Sequence, residues 1–97
     1  MKAPTIWVVP TSGDWFDVTI EDGRGSSRHR VRAPAGDVLR YGKGAAAGAV
    51  VDAAMRFLLD REPKESILSR FALSDIERYF PEFPAKVTDY LAQPTEP

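Results

Sequence analysis

Trp15-Phe16-Asp17-Val18-Thr19-Ile20-Glu21, followed by the turn-forming Asp22-Gly23-Arg24-Gly25-Ser26-Ser27 and by Arg28-His29-Arg30-Val31-Arg32-Ala33, reads as a hairpin with a defined register. Side chains alternate across a strand, so Phe16, Val18 and Ile20 share one face while Trp15, Asp17, Thr19 and Glu21 share the other. The following strand splits into His29, Val31 and Ala33 against Arg28, Arg30 and Arg32. Pairing odd positions of the first segment with even positions of the second sets acids beside arginines and apolar residues beside one another. A slip of one residue would place arginines next to Phe16 and Val18, so the first register is predicted.

Upstream, Thr5 to Val9 is a further β-rich segment, joined by the turn residues Pro10-Thr11-Ser12-Gly13-Asp14. Setting Ile6 and Val8 opposite Phe16 and Val18 completes an apolar face. The same parity forces Trp7 and Val9 onto the side of Trp15 and Asp17, where Arg28, Arg30 and Arg32 also lie.

Downstream the period changes. Ala47, Val50, Val51, Ala54, Phe57 and Leu58 recur at spacings of three and four, which predicts a helix over about 45–61 that Pro63 stops. A short helix is expected over 65–70. Ser74-Asp75-Ile76-Glu77 reads as a capping box opening another before Pro81, and a last one is expected from Pro84. The expected fold class is therefore α+β: a three-stranded antiparallel β-meander followed by one long helix and two or three short C-terminal helices. Residues 1–92 are expected to form a single α+β domain, and 93–97 a flexible C-terminal tail.

Ninety-seven residues leave room for one core. With 43% hydrophobic and 28% charged residues the composition is that of a globular chain. Cysteine is absent, which excludes disulfides and thiolate chemistry and fits a reducing, cytoplasmic setting. The apolar run Ile6 to Val9 is too short for a secretory signal, and Ala45 to Met55, interrupted by Asp52, is too short to span a bilayer, so no membrane association is expected. The net charge of −1 divides into seven Lys/Arg against five Asp/Glu in residues 1–44, and six against nine in residues 45–97.

Few residues point to chemistry. Gly42-Lys43-Gly44 ahead of the alanine-rich helix offers backbone amides and a lysine to an anion, yet lacks the Gly-Lys-Ser/Thr ending of a phosphate loop. His29 is the single histidine, so no His–His metal pair exists, and its parity turns it toward the core, where a structural role is the simpler reading. Carboxylates are scattered along polar helix faces. No catalytic constellation, cofactor or metal site is expected from this pattern, and the chain reads as non-enzymatic.

Two surfaces remain. Trp7, Trp15, Arg28, Arg30 and Arg32, with Lys43, Arg24 and Arg40 adding charge, suit a nucleic-acid strand whose bases stack on indoles while phosphates meet guanidinium groups. The competing expectation neutralises these arginines with Asp17 and Glu21 and covers the tryptophans with C-terminal helices bearing Phe71, Phe80, Phe83 and Tyr90. The second surface is the apolar stretch from Ser66 to Phe83. Phe71, Ile76, Tyr79, Phe80 and Phe83 there exceed what one small sheet needs and are candidates for self-association or a protein partner.

The order of three antiparallel strands, then Gly42-Lys43-Gly44 and an alanine-rich helix, resembles the second half of a double-stranded RNA-binding domain over residues 5 to 58. That family's leading helix has no counterpart here, and Ala45, Ala46 and Ala47 stand where it places lysines, so the resemblance implies no phosphate clamp. The strands with Trp15 and Arg30 are also similar in outline to the three-stranded DNA readers of plant transcription factors and phage integrases. The leading expectation is a small protein-interaction or regulatory module of bacterial type. Nucleic-acid binding through the Trp/Arg face is the alternative.

Overall fold

The computed structural model describes residues 4–92. The expected 93–97 tail lies outside them. Four strands and four α-helices follow one another as β1 (Thr5–Pro10), β2 (Trp15–Glu21), β3 (Ser26–Arg32), α1 (Ala35–Gly42), α2 (Ala47–Leu59), β4 (Arg70–Ala72), α3 (Leu73–Tyr79) and α4 (Phe83–Ala92), with a 3₁₀ turn at Lys64–Ser66 before β4. The sheet order is β1-β2-β3-β4. The meander is present as expected, and β4 adds a fourth strand parallel to β3, so the sheet is mixed rather than purely antiparallel.

The β2–β3 register is the expected one, with Trp15 opposite Arg32, Asp17 opposite Arg30 and Thr19 opposite Arg28. In β1–β2 the face assignment holds but the register is shifted: Val8 faces Val18, and Ile6 faces Ile20 rather than Val18. The shift follows from a longer ladder, since pairing runs to Pro10 opposite Phe16.

The segment expected as a helix over 65–70 departs most from the sequence reading. It forms the 3₁₀ turn and then enters β4, because Phe71 sits opposite Val31 and is buried only if the chain joins the sheet. His29 fixes this approach. One ring nitrogen pairs with the Leu68 carbonyl at 2.7 Å and the other with Ser27 Oγ at 2.8 Å, leaving the imidazole 5% exposed. The α3 cap is also displaced from Ser74 and Glu77: the Asp75 carboxylate accepts the Ala72 backbone N–H at 2.9 Å.

Helix α1 was not foreseen as an element. It places Gly42-Lys43-Gly44 at a helix end instead of a helix start, with Lys43 in the left-handed region (φ 50°) donating its N–H to the Leu39 carbonyl. Free amides at a helix start are thus not what these residues present. The RNA-binding resemblance breaks at the same place, since α1 separates the meander from the alanine-rich helix. Gly42 has a packing reason, because a Cβ there would lie 2.4 Å from Val50 Cγ2.

Phe16, Val18, Ile20 and Val31 of the sheet meet Val50, Val51, Ala54 and Phe57 of α2 in the core. The C-terminal helices also pack on this side. Phe57 gathers the rings of Phe83 at 5.1 Å, Phe80 at 5.8 Å and Tyr90 at 6.0 Å, and Phe83 also meets Tyr41 of α1 at 4.9 Å. Helices α1 and α4 therefore pack with α2 on the apolar side of the sheet. The expectation that C-terminal aromatics cover the tryptophans is overturned: they complete the core on the opposite face.

Candidate functional site

With all helices on one side, no element among the described residues covers the second face of the sheet. Cross-strand rows are set by the registers: Trp7, Thr19 and Arg28; Val9, Asp17, Arg30 and Arg70; Trp15, Arg32 and Ala72. Trp7 is 48% exposed and Val9 54%, Trp15 is half-buried, and all four arginines are exposed. Trp7 and Trp15 stand four residues apart along the strand direction and one strand apart across it, about 14 Å in all. Alternate β3 positions space Arg28, Arg30 and Arg32 by about 7 Å.

Charge on this face is only partly neutralised. Arg30 Nε reaches Asp17 Oδ1 at 3.2 Å, both side chains being half in solvent. Arg28, Arg32 and Arg70 form no ion pair among the described residues. Outside the open face Arg40, Arg56, Arg61, Lys64 and Arg78 each hold a carboxylate within 4.0 Å, while Arg24, Lys43 and Lys86 form no ion pair among the described residues. Arg70 instead lies over the Trp15 ring, its guanidinium carbon 4.9 Å from the centroid. Cation–π contact of this kind leaves the guanidinium N–H groups open to an anion.

Sequence reasoning grouped Trp7, Trp15, Arg28, Arg30 and Arg32 as one face, and the registers place these five on the same side of the sheet. It missed Arg70, because a three-residue strand carries no alternation to read and its placement depends on a contact with β3. Lys43, grouped with them from the sequence, lies outside the sheet in the α1–α2 connection.

The second candidate surface divides in two. Phe83 is fully buried, and Phe71 and Ile76 are 6% and 3% exposed. Tyr79, at 69%, and Leu68, at 52%, are the exposed members. Between them opens a groove of about 220 Å³ lined by Leu58, Ile67, Phe71, Ile76, Tyr79 and Phe80, with Glu62 and Asp75 also in its wall. A cavity of about 150 Å³ lined by apolar side chains accepts a benzene ring, so this groove has room for an aromatic side chain.

Elsewhere polar groups serve the fold. Tyr41 donates to Glu77 Oε1 at 2.8 Å, and Arg40 reaches the same oxygen at 3.0 Å, tying α1 to α3. Burial and this carboxylate push the Tyr41 hydroxyl well above the usual tyrosine range. The hydrogen bonds from Tyr41 and Arg40 hold Glu77 below the ordinary glutamate value despite its desolvation. Lys64, nearly buried, binds Asp22 at 2.9 Å and Glu65 at 2.6 Å and so anchors the β2–β3 turn. No helix among the described residues is long and apolar enough to cross a membrane. No protein-family model matches the chain, and no curated protein or solved structure matches it.

Proposed function

We propose that this chain is a non-enzymatic binding module, acting in the cytoplasm, whose open sheet face receives a single-stranded nucleic acid. The observation that carries the reading is the unbalanced distribution of charge: Arg28, Arg32 and Arg70 lack an acid partner among the described residues and share an uncovered face with Trp7 and Trp15. Indoles offer stacking platforms to any base, and guanidinium groups at strand spacing track a phosphate backbone. An open sheet face suits an unstacked strand better than a duplex groove, which admits a helix or a narrow ribbon.

Tryptophan fluorescence tests this directly, through titration with random single-stranded and duplex oligonucleotides at several salt concentrations. Three unpaired arginines give a slope of log affinity against log salt of about −2, from about −0.7 per phosphate on single strands. Raising salt from 50 to 200 mM then weakens binding by about 20-fold. Arg32→Ala lowers the slope, and Trp7→Ala weakens affinity by about 5- to 150-fold at unchanged slope, the value of one stacked base. Absence of quenching at low salt retires the reading.

A second reading is favoured by the aromatic-sized groove beside Tyr79 and Leu68, which suits a protein segment presenting one large apolar side chain next to a basic one that meets Glu62. Tyr79→Ala is its probe in a binding assay with such peptides.

A further inference from the structure

The two edges of the sheet are built differently. At one edge β4 has three residues, begins with Arg70 and turns at once into α3. At the other, β1 runs six residues as Thr5-Ile6-Trp7-Val8-Val9-Pro10, and no charged residue occurs from Pro4 to Gly13. Native sheets usually blunt a long edge with charge, proline, a bulge or a covering segment, since its unpaired N–H and C=O groups template another strand; of these β1 has prolines, at its two ends.

The hydrogen-bond parity of β1 follows from the ladder. Thr11 N–H donates to the Trp15 carbonyl at 2.9 Å, so in an antiparallel pair residues 5, 7 and 9 also exchange bonds with β2, and the even residues turn their backbone groups outward. Pro4 and Pro10 are both even. Each lacks its N–H on the outward side, where the β1–β2 ladder does not need it, and the outward donors that remain between them are those of Ile6 and Val8.

We infer that β1 is the interface between two copies of this chain, paired antiparallel about a two-fold axis at Trp7. Ile6 of each copy then exchanges N–H···O=C bonds with Val8 of the other, four bonds in all, and every outward donor between the prolines is used. Trp7 falls opposite its own mate in the non-hydrogen-bonded position, where Cα atoms approach to about 4.5 Å and side chains are in contact. Two exposed indoles become a cross-strand aromatic pair, a favourable arrangement on a sheet surface. Uncharged flanks remove the like-charge repulsion that a two-fold axis otherwise imposes, and the product is a continuous eight-stranded sheet with both Trp/Arg faces on one side. The inference rests on β1 alone and stands independently of strand binding.

Sedimentation equilibrium over a wide concentration range tests it, with Val8→Pro as the principal variant. Proline at position 8 removes an outward donor and leaves the β1–β2 ladder its bonds, so two of the four intersubunit bonds are lost and the ring obstructs approach, at the cost of the Val8 side chain's partly buried contact with the core. The expected result is concentration-dependent mass rising toward twice the chain mass for the wild type, and monomer mass for Val8→Pro with an unchanged circular dichroism spectrum. Trp7→Lys, which sets two ammonium groups face to face without touching the core, is the second variant and is also expected to be monomeric, so a folding defect in Val8→Pro leaves the question answerable. A wild type that stays monomeric at the highest concentration, or a Trp7→Lys chain that dimerises as the wild type does, overturns the inference.

Discussion

Phe83 and Tyr79 look alike in sequence, both aromatic members of the apolar stretch near the C-terminus, yet the structure gives them opposite energetic roles. Phe83 is fully buried, with ring neighbours Tyr41 at 4.9 Å and Phe57 at 5.1 Å. Phe83→Ala deletes an entire buried ring and leaves a cavity walled by two other rings that cannot collapse without moving α1 and α2 together. Such truncations cost about 3–5 kcal/mol. A chain of this size has a total stability of about 5–15 kcal/mol, so the variant forfeits a large share of it. At about 4–8 °C per kcal/mol the melting temperature falls by about 12–40 °C. Tyr79 is 69% exposed, and Tyr79→Ala is expected to change stability by no more than about 0.5 kcal/mol. Urea unfolding followed by circular dichroism measures both, with an unchanged m-value as the sign that the same two states are compared. A loss below about 1 kcal/mol for Phe83→Ala would refute the reasoning, since it would mean that α4 does not close the core through this ring.

Asp17→Ala releases Arg30 from its only acid partner among the described residues, so affinity for single strands is expected to rise and the salt slope to steepen by about 0.7, read in the same fluorescence titration. Gly42→Ala forces a Cβ to within 2.4 Å of the buried Val50 side chain, and the overpacking is expected to cost about 1–3 kcal/mol in urea unfolding, whereas Gly44→Ala has open space around it and is strained only by its backbone, at φ 108°. His29→Ala frees the Leu68 carbonyl, and hydrogen exchange at residues 67–72 is expected to accelerate ahead of exchange in the β1–β2 hairpin. The Glu77 carboxylate has a lower pKa folded than unfolded, so its contribution is full above the unfolded value and is lost as pH falls through 4.5 and below. Asp22 and Glu65 are shifted the same way by Lys64, and Glu82 by a backbone N–H and then Arg61, so acid unfolding is expected to begin in that range, and Glu77→Gln to flatten its onset.

The meander and its faces were legible in the sequence because alternation and charge pairing are properties of neighbouring residues. Phe16, Val18 and Ile20 against Asp17 and Glu21, with Arg28, Arg30 and Arg32 opposite, admit one sensible register, and that register is found. The long helix was legible for the same reason, its apolar period lying within one continuous segment. Tertiary structure alone decided β4, whose three residues have no period and are held by Val31 and His29, nearly forty residues earlier. It also decided that α1 forms over Ala35–Gly42 and that α4 packs on α2. The small alanine side chains let α2 lie close to the sheet, and Phe57 then collects Phe80, Phe83 and Tyr90, so the C-terminal rings are satisfied there and have no reason to cross the sheet edge. Local pattern tells which residues share a face. Which faces are covered depends on competition among all the apolar surfaces for one another, and here that competition left Trp7 and the arginines exposed and Trp15 half-buried on the face without helices.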